Sequence, residues 1–150
     1  MKNAIHPSAP SASSFKYHST ISAISNCPPS ASGSPLSVGY RFCHADLKHP
    51  SNTLPIAEIH KNSLPPRRPN CSSYALSMFV SLETLKTRAK AGISNSPQFL
   101  KKIGDHYVKI ELSNTAGRQT APNSDGHFDL HEYASFNLHA AVQEHRQLVL

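Results

Sequence analysis

Ten of the twelve prolines fall before residue 73. Each fixes its own φ and removes a backbone donor, so helix and sheet ladders are hard to sustain there. A core built from regular elements is therefore expected from the second half of the chain. Charge divides at the same place. Residues 1 to 72 hold seven Lys/Arg and two acids, and residues 73 to 150 hold eight and seven, so most of the net +6 belongs to the front. No acid precedes Asp46, and Ser, Ala and Pro dominate Ser8 to Ser37 without helical or alternating periodicity. Such a stretch buries too little apolar surface to offset its conformational entropy. Residues 1–65 are thus expected to be a disordered leader. Its Ser-rich, acid-poor character matches type III secretion leaders and plastid transit peptides, and it lacks an apolar run long enough for a secretory signal core or a membrane span.

From Ser73 onward Ala75, Met78, Leu82, Leu85 and Ala89 recur at steps of three and four, with Tyr74 and Phe79 widening the stripe. That spacing predicts a helix. Gly92 reads as its stop, and Lys86, Arg88 and Lys90 load the closing turn with cations that suit the dipole. The helix mouth then falls at Cys71 and Ser72. A thiol placed among unpaired N–H groups at the positive end of a dipole favours thiolate, which makes Cys71 a candidate nucleophile.

Ser96-Pro97 as cap and first residue, with Phe99, Leu100 and Ile103 and a closing Gly104, predicts a second short helix. Alternation over His106 to Leu112 predicts a strand, and Asp125-Gly126 a reversal into another that begins at His127. In that strand Phe128 and Leu130 face one way, and His127, Asp129 and His131 the other. Leu138, Val142, His145 and Val149 behind Asn137 predict a terminal helix.

The segment Asn70-Cys71-Ser72-Ser73-Tyr74 resembles the Asp/Asn-Cys-Ser-Gly/Ser-aromatic signature of papain-like cell-wall cysteine peptidases and amidases. Gly104-Asp105 before a strand and Gly126-His127-Phe128 are similar to two further motifs of that superfamily, and the three stand in its order. The resemblance implies Cys71 as nucleophile and His127 as general base. It also implies an orienting third group, taken here as Asn137, with Glu132 and His139 as alternatives. The Cys71 N–H, helped by Asn70, would hold the oxyanion. Substrates would be amides or thioesters, with no cofactor. In the superfamily the second residue after the histidine is usually small; here it is Asp129.

A metal site is the rival for the same residues. His127, Asp129 and His131 share one strand face at successive separations of about 6.6 Å, and His106 or Glu132 would complete a shell. Cys27, Cys43 and Cys71 form no C-x-x-C pair, and an odd number in a loose segment points to free thiols. Nucleic-acid binding is disfavoured despite a pI near 9.4. Only Arg67-Arg68 and Lys101-Lys102 are adjacent, and no run interleaves cations with aromatics. No glycine-rich phosphate loop is present.

The expectation is therefore an α+β fold, residues 66–150, with the Cys71 helix packed on a small antiparallel sheet carrying His127, behind the leader of residues 1–65. The expected function is that of a cysteine hydrolase or acyltransferase exported by a non-classical route as an effector or toxin, with a protein or peptide substrate and a secretion chaperone or import machinery as partner. The alternatives are a non-catalytic interaction module, secreted or directed to plastid or mitochondrion, and a metal-binding domain.

Overall fold

The computed structural model describes residues 15–30, 35–62 and 70–150. The Arg67-Arg68 pair, like residues 1–14, 31–34 and 63–65 of the expected leader, lies outside the described residues. The described elements run α1 (His18–Ile21), β1 (Val38–Cys43), α2 (Pro50–Thr53), α3 (Ile56–Ile59), a 3₁₀ turn (Cys71–Tyr74), β2 (Leu76–Phe79), α4 (Leu82–Asn95), α5 (Phe99–Ile103), β3 (His106–Glu111), β4 (Gly117–Gln119), β5 (His127–Glu132), α6 (Leu138–Ala141) and β6 (Val142–Gln147). The six strands form one antiparallel sheet in the order β4-β5-β2-β1-β3-β6. The mixed helix and strand content agrees with the α+β expectation.

Strand alternation sorts the side chains to two faces. Leu76, Met78, Val108, Ile110, Phe128 and Leu130 belong to one buried cluster. Phe42, Phe79 and Tyr107 belong to a second, which they share with Leu85 and Ala89 of α4. Burying these apolar groups is what favours one register, since a slip of one residue would turn every such side chain to the wrong face.

Three expectations are corrected. First, β1 lies inside the stretch expected to be disordered, yet it sits between β2 and β3 and pairs with β3 along all six of its residues. Its sequence VGYRFC interleaves Tyr40 and Phe42 on one face with Gly39, Arg41 and Cys43 on the other. Second, the helix expected from Cys71 divides into a 3₁₀ turn, a strand and a helix that starts only at Leu82. The start is fixed by a capping box, in which the Ser81 Oγ accepts from the Thr84 N–H at 3.1 Å and the Ser81 N–H donates to the Thr84 hydroxyl at 3.2 Å. Before it, Leu76, Met78 and the intervening Ser77 follow the period-two rule of β2. Gly92 is not the stop; α4 continues to Asn95, and Gly92 is buried where the Phe99 ring leaves no room for a side chain. Third, the expected terminal helix is a single turn, α6, followed by β6. β6 satisfies the ladder groups along the outer side of β3, an interaction that helical periodicity within one segment does not register.

Candidate functional site

Cys71 opens the 3₁₀ turn, and its position is set by a second capping box. The Asn70 Oδ1 accepts from the Ser73 N–H at 3.0 Å and from the Ser73 hydroxyl at 2.8 Å, while the Asn70 N–H donates to the Ser73 hydroxyl at 3.3 Å. The turn is four residues long. It therefore supplies no extended helix dipole to the Cys71 sulfur, and the carboxamide oxygen of Asn70 is engaged in the cap.

The Cys71 sulfur is joined to Cys27 in a disulfide with a Cα–Cα separation of 5.5 Å. This corrects the expectation of free thiols. Cys27 follows α1 in sequence and packs against the buried cluster of Phe15, Ile21 and Tyr74. Cys43 is the one free cysteine among the described residues; burial pushes its thiol up to about 12, so it is an inert thiol of the core.

The imidazole beside Cys71 is that of His131, whose Nε2 lies 3.9 Å from the Cys71 Sγ. His131 is only 2 % exposed. Burial lowers its pKa, with Asp129 acting to raise it and Arg118 to lower it further. His127 stands four residues away on the same strand, about 13 Å along an extended backbone. Its Nε2 faces the Ser77 hydroxyl across the β2–β5 pair at 2.5 Å, and its ring meets Phe79 edge-on at 5.4 Å between centroids. The structure thus brings Cys71 to His131 and gives His127 a different partner.

Ser77, His127 and Asp129 form a Ser-His-Asp group in composition only. Asp129 Oδ1 approaches His127 at Nε2, 3.8 Å away, the same nitrogen that meets Ser77. An orienting carboxylate acts on the opposite ring nitrogen, so this group lacks the arrangement of a serine hydrolase.

Asn137 is the N-cap of α6, its Oδ1 accepting from the Ala140 N–H at 3.3 Å. With Glu132 and His139 it lines a cavity of about 390 Å³ together with Lys16. Glu132 follows His131 in β5 and so points to the opposite side of the strand. Its Oε1 accepts from the Lys16 ammonium at 2.7 Å, while its buried Oε2 has no partner. The three residues considered for orienting the histidine therefore gather at this cavity.

Among the described residues, the set of donors able to share a metal ion is Cys27, Cys71 and His131, whose ligand atoms all lie within 4.8 Å of one another. The expected set of His127, Asp129 and His131 contributes only its last member. Sequence reading missed Cys27 because it carries no spacing motif and lies within a Ser/Pro-rich stretch. His131 was within reach, on the same strand face as His127 and two steps further along.

Comparison with protein-family models, with curated proteins and with solved structures finds no match to this chain. No helix among the described residues is long and apolar enough to cross a membrane.

Proposed function

We propose that the chain is a cysteine-dependent hydrolase or acyltransferase acting on amide or thioester bonds, with Cys71 as nucleophile, His131 in place of His127 as base, and the Cys27–Cys71 disulfide as its resting form. The observation that carries this reading is the 3.9 Å approach of the Cys71 sulfur to the His131 Nε2. A thiol reductant first converts the disulfide to two thiols and is itself oxidised to a disulfide. His131 then takes the Cys71 proton, and the thiolate attacks the carbonyl carbon of a protein or peptide substrate. The imidazolium returns the proton to the leaving amine or thiol, and water or an acyl acceptor releases the acyl group from the sulfur. A chain of this kind leaves its source by a non-classical route, assisted by a secretion chaperone or import machinery. It keeps its disulfide in an oxidising medium and loses it in a reducing one.

Turnover of fluorogenic peptide amides and of a small thioester is measured with and without reductant. Reductant-dependent release that disappears in Cys71→Ala supports the proposal. A reduced chain as inactive as Cys71→Ala on both substrate classes contradicts it.

A second reading, a non-catalytic interaction module, is favoured by where the disulfide sits. It fastens the segment carrying Phe15 and Ile21 to the turn before β2, whose Tyr74 packs with them in one buried cluster. On that reading the bond is permanent, and reduction lowers stability without creating reactivity.

A further inference from the structure

We infer that, once the Cys27–Cys71 bond is reduced, Cys27, Cys71 and His131 form a three-donor site for Zn²⁺. The three donor atoms lie within 4.8 Å of one another. Donors of a tetrahedral zinc with Zn–S bonds of about 2.3 Å and Zn–N bonds of about 2.0 Å stand roughly 3.5 to 3.8 Å apart. The Cys71 Sγ and His131 Nε2 are already at 3.9 Å. On reduction the two sulfurs must separate, and the Cys27 sulfur already lies within 4.8 Å of the His131 Nε2.

The ligands come from three distant parts of the chain, and each is held by contacts other than the disulfide. Cys27 packs on Phe15, Ile21 and Tyr74. Cys71 is fixed by the Asn70–Ser73 capping box. His131 lies in β5, in register with Arg118 of β4. Opening the bond therefore leaves the three groups close together. Two thiolates and an imidazole suit zinc, whereas magnesium and calcium take oxygen donors. Three protein ligands leave one tetrahedral position for water, as in catalytic rather than closed structural sites.

Reduction turns the disulfide into two thiols at the expense of an external reductant, and zinc then displaces one proton from each thiol. The bound ion neutralises both thiolates and keeps the sulfurs from rejoining. Zinc binding and catalysis exclude one another at this sulfur, because zinc-bound Cys71 is not free to attack a carbonyl. The ion and the substrate would instead compete for one sulfur.

The full chain is reduced with a phosphine, freed of reductant anaerobically and titrated with Zn²⁺ against a chromophoric chelator. The expected result is one tightly held zinc per chain, none in the oxidised protein, and affinity at least tenfold weaker in Cys27→Ser and in His131→Gln, with His127→Ala unchanged. Co²⁺ added to the reduced wild-type chain is expected to give thiolate-to-cobalt charge-transfer absorption, a readout that needs no variant to fold. Absence of that absorption, or zinc affinity indifferent to Cys27→Ser, overturns the site. Alkylation of the metal-free reduced chain reports separately on the hydrolase reading.

Discussion

Glu132 carries a carboxyl whose charge its surroundings oppose. Its side chain is 1 % exposed, with one oxygen on Lys16 and the other unpartnered. Burial raises its pKa above the ordinary 4.5, against the lowering pull of Lys16 and Arg41. Below 4.5 the carboxyl is neutral in both folded and unfolded chains. As pH rises from there, the unfolded chain ionises first, so this group's contribution to stability is lost as pH climbs through its folded value. In urea unfolding followed from pH 4 to 7, wild type is expected to lose stability relative to Glu132→Gln as pH increases. A difference running the other way would show that the Lys16 pair outweighs burial. At this scale sequence reading reached Cys71 and the polar face of β5. It did not reach the partnership, because which of two histidines meets a sulfur 60 or 56 positions away depends on the β2–β5 register, and that is set by burial of Phe128 and Leu130 rather than by any local motif.

Among the elements, β3 and β5 were legible because Val108 and Ile110 in one, and Phe128 and Leu130 in the other, stand two apart with a polar residue between them. The helix expected from Cys71 failed for an identifiable reason. Ala75 and Met78 continue the spacing of Leu82, Leu85 and Ala89 by coincidence, while Leu76 and Met78 enter the core as strand neighbours of β5. β1 was hidden by composition, since the Ser and Pro on either side mask a six-residue strand. Gly104, between α5 and β3, has φ +110°, and a Cβ there would overlap the Cys43 carbonyl at the end of β1. Gly104→Ala is therefore expected to cost on the order of 3 kcal/mol, combining backbone strain with displacement of a strand end. Thermal unfolding within a degree or two of wild type would show that the link between α5 and β3 adjusts freely.

For the whole molecule, the described N-terminal segment is part of the fold. The Lys16 N–H donates to the Glu132 carbonyl at 3.0 Å, and Phe15 bridges to Tyr133 beyond β5. Arg41 ties β1 to its surroundings: its buried guanidinium donates to the carbonyls of Ser51, Asn52, Leu54 and Ser77. The Cys27–Cys71 bond closes a loop with a sequence separation of 44. Chain-entropy arguments give about 4 kcal/mol for such a loop, with about 2–4 kcal/mol the usual range. Reductant, or Cys27→Ser, is expected to lower the unfolding free energy by that amount while the sheet persists in circular dichroism. Loss of the sheet on reduction would mean that the bond, rather than burial, holds the fold together.

In the proposed assignment His131, not His127, serves Cys71. Its direct measurement is the iodoacetamide alkylation rate of Cys71 at fixed neutral pH in metal-free reduced protein, read by mass spectrometry for wild type, His131→Gln and His127→Ala. His131→Gln is expected to slow alkylation at least tenfold and His127→Ala to leave it within about twofold. Equal rates in all three, or a slowing confined to His127→Ala, would contradict the assignment.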